Sequence, residues 1–227
     1  EDYPNVTYPS EYDPQFASLY AINQDFKGIL QIPNTGVNYA VVQSTNNDYY
    51  LRRNFYQEYN SHGSIFLDYN ADIRTPCSNI VFYGHNMKDG QMFGELLKYE
   101  DLDFYKEHPV ITFNSVYRSS KYKIISVFLA DVSSAGLEEF NYVDPMTSPT
   151  PDQMQTFISE ITSRSLINTT VDVQNTDKLI TLSTCDYTFN DARFVVVARQ
   201  VREGEDENVD TSGSSYNPNP VKPAALQ

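Results

Sequence analysis

The chain has 227 residues, 40% of them hydrophobic and 14% aromatic, which is a globular composition long enough for one sizeable domain. Its formal charge of −14 argues against a nucleic-acid partner, because gripping a phosphate backbone needs basic patches. No run approaches the ~18 consecutive apolar residues of a membrane helix, and the opening EDYPNVTYPS shows no signal peptide, so the chain reads as a mature or truncated soluble portion.

Residues 1–13 are rich in Tyr, Pro and acid and read as an arm. Residues 14–23 suit a helix, with Asp13 as N-cap and Pro14 at the first helical position. Residues 26–32 and 37–43 are predicted strands joined by the turn Pro33-Asn34-Thr35-Gly36. Residues 47–55 are a short helical candidate. Residues 64–68 and 79–85 are short strands, the second ending in Gly84-His85-Asn86. A helical region over about 92–106 has a break near Asp101. Residues 110–114 and 121–131 follow as strands, and residues 133–149 as a loop. Thr150, Pro151 and Gln153 make a capped helix start, and Met154, Phe157, Ile158 and Ile161 continue it at helical spacing. Strands at 179–185 and 193–201 close the fold.

After Arg202 the sequence turns acidic and then rich in Ser, Asn and Pro, which predicts a disordered tail over 203–227. The domain is then 14–202. About eight strands that do not alternate regularly with helices predict a mainly β fold, a closed and largely antiparallel barrel with helices in its connections.

The chemistry gathers on the last two strands. In residues 179–185, Ile180, Leu182 and Thr184 point one way, and Thr181, Ser183 and Cys185 the other. The first face suits a core and leaves Cys185 on the more polar one. Seven residues separate Cys185 from Arg193, so an antiparallel hairpin places the two side by side. A thiol beside a permanent cation favours the thiolate, and the cation can also hold an oxyanion. The plain alternative is a buried cysteine and a surface arginine. The other cysteine, Cys77, reads with Cys185 as two free thiols, with a single bridge left open.

Of three histidines, His62 lies in a turn and His108 at a helix end, where it serves as a cap. His85, at a strand end before a loop, completes a nucleophile, acid/base and oxyanion set. No short Cys/His spacing suggests zinc. Neither GxxxxGK[ST] nor GxGxxG is present, so no cofactor or metal is expected.

Thr181-Leu182-Ser183-Thr184-Cys185 resembles the TLxTC motif of sortases, the cysteine transpeptidases of Gram-positive cell surfaces. His85 in NIVFYGHNM and Arg193 in ARFVVVAR flank it in the sortase order. Class B sortases are resembled in particular by INQDFKGILQIPNTGVNYAVVQ, NNDYYLRRNF, GSIFLDYN and YGHNMKDGQMFGELLKY. Two departures stand out. Lys27-Gly28-Ile29 replaces the common Gly-Trp, and the loop from Cys185 to Arg193 is short for the class.

The resemblance implies an eight-stranded sortase-type barrel with an N-terminal helix and a helix in the connection between the sixth and seventh strands. It implies Cys185 as nucleophile on an NPxTx-like sorting signal, His85 as acid and base, and Arg193 on the substrate carbonyl. By position Ser183 matches a groove residue, Asn47 and Leu51 match contacts to the start of the signal, and Tyr142 and Val143 fall near further contacts. The implied partners are surface proteins bearing sorting signals and a peptidoglycan amine, at the outer membrane face, with an N-terminal membrane anchor missing from this chain. A pilin-polymerising sortase and a non-enzymatic surface barrel are the alternatives. Asn217-Pro218-Asn219-Pro220 begins like such a signal, so the tail is a candidate visitor to a groove.

Overall fold

The computed structural model describes residues 5–185 and 188–226, with the backbone alone at Cys185. Eight strands form the barrel: β1 (Phe26–Gln31), β2 (Asn38–Val42), β3 (Ile65–Leu67), β4 (Asn79–Tyr83), β5 (Val110–Ser115), β6 (Ser119–Asp131), β7 (Leu179–Cys185) and β8 (Ala192–Gln200). They close in the order β1-β2-β3-β4-β7-β8-β6-β5. Two ladders are parallel, β2 with β3 and β4 with β7; the rest are antiparallel.

Parallel neighbours need long crossovers, and these carry the chain over the barrel rim. Residues 43–64 join β2 to β3, with a 3-10 turn at Tyr49–Arg52. Between β6 and β7 lie two helices, α3 (Ser134–Glu139) and α4 (Pro151–Arg164). The helix of the N-terminal segment, α1, is Ala17–Ile22, after a 3-10 turn at Pro14–Phe16 capped by Asp13. The helical region near Asp101 is broken there as expected, into a 3-10 stretch Gly94–Glu100 and the helix α2 (Leu102–Glu107).

The barrel interior is filled by the inward residues of β7 and β8 (Ile180, Leu182, Phe194, Val196 and Ala198) together with Phe82, Phe113 and others. The opposite face of the same strands is buried as well. Leu179, Val195 and Val197 pack under Met154, Phe157, Ile158 and Ile161 of α4. Burial on both faces accounts for the unbroken apolar run of β8. It also means that Thr181 and Ser183 on the polar face of β7 are buried and satisfied internally: the Thr181 hydroxyl donates to Asn79 Oδ1 at 2.7 Å.

Two expectations differ from the structure. The stretch 133–149 is not all loop, because Ser133 caps the six-residue α3. The described residues after Arg202, 203–226, are tied to the rest of the domain by specific contacts. The Glu205 carboxylate takes Arg199 at 2.6 and 2.7 Å and Lys123 at 2.8 Å, and Ser215–Tyr216 pairs with Ile167–Asn168. Composition misled because ion pairs and a short ladder hold this segment, where apolar burial would not. The Asn-Pro repeat lies along the end of α4, where Asn217 Nδ2 donates to the Ser165 carbonyl at 2.8 Å and the Val221 N–H to that of Ser163 at 2.9 Å.

Candidate functional site

The outer face of the barrel carries a row of residues set by register. Phe66 of β3 pairs with Tyr83 of β4, and Tyr83 with Ser183 of β7. Two residues further along β7, Cys185 pairs with Arg193 of β8. Strand alternation puts the side chains of Phe66, Tyr83, Ser183 and Arg193 on one face, near the rim where β4 and β7 both end. The predicted opposition of Cys185 and Arg193 is therefore present in the backbone; the Cys185 side chain lies outside the described residues, as do Asp186 and Tyr187 of the following loop.

A cavity of about 290 Å³ opens over this row. Its walls include seven of the side chains singled out from sequence: Asn47, Leu51, His85, Tyr142, Val143, Ser183 and Arg193. Phe66, Tyr83, Gly84, Val132, Leu137 and Thr184 complete it. Asn47 and Leu51 arrive on the β2–β3 crossover, and Leu137, Tyr142 and Val143 on the β6–β7 crossover. The second loop is pinned by Asn79, whose Nδ2 donates to the carbonyls of Tyr142 and Asp144 at 3.0 and 2.8 Å. Tyr142 is buried, and its hydroxyl shares a 2.8 Å hydrogen bond with Ser183 Oγ.

His85 sits two residues beyond β4. Gly84 makes that placement possible: a Cβ there would come within 2.5 Å of Ile65 Cδ1 and 2.8 Å of the Phe93 ring. The His85 ring is fixed by a 2.6 Å bond from Nε2 to the Leu51 carbonyl. A carbonyl only accepts, so Nε2 carries the proton and Nδ1 is the nitrogen left to exchange one. Arg193 donates from Nη1 to the Ala192 carbonyl at 2.9 Å and forms no ion pair with a described residue.

Tyr83, which sequence analysis did not single out, holds its hydroxyl proton well above the ordinary tyrosine range. Burial is the main cause and the adjacent Asp68 carboxylate the next, with Arg193 pulling the other way. Parity was the available signal for it, since Tyr83 lies on the same strand face as Asn79 and opposite Ser183.

The remaining candidates separate cleanly. Cys77 is a free, buried thiol whose Sγ contacts the Asn79 carbonyl at 3.3 Å, and burial pushes its pKa up. His62 pairs with Asp89 at 3.0 Å. His108 follows the helix Leu102–Glu107 as its C-cap and bonds the Pro33 carbonyl from Nδ1 at 3.1 Å. Among the described residues no group of three or more His, Cys, Asp or Glu is placed to hold a metal ion.

The chain matches the Sortase domain family model over residues 30–201. Sortase B of Listeria monocytogenes is 35% identical over 176 residues, which cover 78% of this chain and 69% of that protein. Sortase B of Staphylococcus aureus is 32% identical over 191 residues, 83% of this chain and 75% of its own. The solved complex of Staphylococcus aureus sortase B with substrate has the same fold, with a TM-score of 0.77 at 32% identity, covering 86% of this chain and 88% of that one.

Proposed function

The chain belongs to the sortase family of cysteine transpeptidases, and on that premise we propose that it cleaves an NPxTx-like sorting signal after Thr and transfers the protein to a peptidoglycan amine. The observation that carries this reading is the backbone pairing of Cys185 with Arg193, whose side chain lines a cavity that His85 shares. The Staphylococcus aureus relative was solved with a substrate bound, which supports a peptide in the corresponding groove here.

In the proposed sequence the Cys185 thiolate attacks the Thr carbonyl carbon. Charge develops on the carbonyl oxygen, and the Arg193 guanidinium donates to it. His85 gives a proton to the leaving amine as the peptide bond breaks, which leaves a thioester on Cys185. An incoming amine then attacks the thioester, His85 takes its proton, and a new amide forms as the thiolate departs. Asn47 and Leu51 meet the start of the signal, and Ser183, Tyr142 and Val143 shape the floor and wall.

We place this reaction at the outer face of a Gram-positive cell. No helix among the described residues is long and apolar enough to cross a membrane.

Incubation with a small panel of NPxTx-like peptides, followed by mass spectrometry of the intact protein, tests the proposal. The expected result is an added mass equal to the acyl portion ending in Thr, located on Cys185. Adding a stem-peptide amine should release that adduct as a transfer product, whereas release only by a lysine of a pilin-type protein would move the acceptor to the alternative reading. No adduct and no cleavage with any peptide would overturn the proposal.

A further inference from the structure

Asp68 follows directly on β3 and is buried, with 6% of its surface exposed. It lies on the outer face with Phe66, one strand from Tyr83. Its Oδ2 accepts from Asn47 Nδ2 and from the Tyr83 hydroxyl, both at 2.9 Å, and its Oδ1 accepts from the Asn70 N–H at 2.9 Å. Asn47 is held from its other side too, because its Oδ1 accepts from the Tyr69 N–H at 3.0 Å.

These partners leave the Asn47 amide one orientation. A backbone N–H only donates, so the atom facing Tyr69 is the oxygen. A carboxylate only accepts, so the atom facing Asp68 is the NH₂. One amide hydrogen is engaged by Asp68 and one remains, on a side chain that lines the signal cavity.

We propose that Asp68 is a positioning residue of the groove: it fixes Asn47 so that the amide offers the substrate an N–H and never a carbonyl. The groove then reads a hydrogen-bond acceptor, an amide carbonyl oxygen, at the start of the signal. The same carboxylate oxygen ties the β2–β3 crossover, through Asn47, to the floor, through Tyr83. Asp68 itself does not line the cavity. The inference rests on the proposed function, because Asn47 matters only if a sorting signal occupies the groove.

Replacing Asp68 by Asn inverts the arrangement. The new amide must keep its oxygen on the Asn70 N–H, which turns its NH₂ onto the NH₂ of Asn47. Two donors then face each other, and turning the Asn47 amide over only moves the mismatch to the Tyr69 N–H.

The test is signal-peptide cleavage by wild type, Asp68→Asn, Asn47→Ala and the double variant, with the alkylation rate of Cys185 and the melting temperature of each. Asp68→Asn should raise KM about tenfold, the scale of one hydrogen bond lost to an ionised partner, with kcat nearly unchanged and alkylation unaffected. In the Asn47→Ala background Asp68→Asn should add almost nothing. An unchanged KM in Asp68→Asn, or the same rise in both backgrounds, overturns the inference while leaving the function standing. Wild-type protein that cleaves no signal overturns the functional reading and this inference with it. If Asp68→Asn does not fold, Asn47→Asp decides the matter. It keeps an oxygen toward Tyr69 but has no N–H to offer, so its KM should rise at least as far as that of Asn47→Ala, and a wild-type KM there overturns the inference.

Discussion

Arg193 and Arg199 lie six residues apart on β8 and project from the same outer face. At the rim, Arg193 has one backbone hydrogen bond to a described residue and a cavity in front of it. At the other end, Arg199 is 1% exposed and fully engaged: Nε donates to the Asp172 carbonyl at 2.8 Å, Nη2 to Asp172 Oδ1 at 3.1 Å, and the fork grips Glu205 at 2.6 and 2.7 Å. Arg202 extends the cluster through Asp172 and Asp177. Residue type and strand face are the same at both ends; the carboxylates decide. An arginine whose donors are taken by fixed acids is a clasp, and one left facing a cavity is available to a substrate oxygen.

The largest expected effect falls at the rim. Cys185→Ala should abolish both cleavage and transfer in a peptide assay, while Cys77→Ser, at a buried thiol off the groove, should leave activity largely intact. Substantial cleavage by the Cys185→Ala protein would remove the mechanism. The clasp should break in a different currency. Glu205→Ala leaves Arg199 and Lys123 short of a carboxylate, at a cost of about 2 kcal/mol. That is a fall of roughly 4–8 °C in Tm for a domain of this size, with kcat/KM below that temperature near wild type.

The smallest effect is the acid response of the clasp. Glu205 titrates well below its ordinary 4.5, first because Arg199 hydrogen-bonds its ionised form. A carboxylate whose pKa is depressed on folding adds stability that is complete above the unfolded value and is lost as the pH falls through the folded one. Thermal melts at stepped pH should therefore show wild type losing more stability below about pH 4.5 than Glu205→Gln does. Partial exposure of Glu205 limits the difference to a change in Tm of about 2–4 °C. Parallel pH curves for the two proteins would remove Glu205 from the clasp.

Much of this was legible in the chain because it depends on period and local chemistry. Alternation placed β7 and β8. The helix start at Thr150 was legible from Thr, Pro and Gln alone, and both bonds of its capping box are present, at 3.2 and 2.8 Å. Parity put Ser183 and Cys185 on one face. α3 was missed because six residues containing Gly136 carry too little periodicity. The tail was misread because its composition is poor in apolar residues, while it is held by the Glu205 carboxylate on Arg199 and Lys123 and by a short ladder to Ile167–Asn168. The site residues on the crossovers, Asn47, Leu51, Tyr142 and Val143, entered through resemblance only. The Leu51 carbonyl behind His85 and the Asp68 carboxylate behind Asn47 come from tertiary contacts 34 and 21 residues apart, which no local pattern encodes.

The most direct measurement is a paired comparison of Arg193→Lys and Arg199→Lys in three assays: signal-peptide turnover, Tm and alkylation of Cys185. Arg193→Lys should lose about 10²–10³ in turnover, the usual cost of one oxyanion donor, because a Lys ammonium cannot present the planar fork. Its Tm should hold, and its alkylation, which needs only the thiolate, should change far less than turnover. Arg199→Lys should do the reverse, lowering Tm with turnover nearly preserved below it. Near-normal turnover in Arg193→Lys, or alkylation that falls in step with turnover, would contradict the assignment of Arg193 to the substrate oxygen.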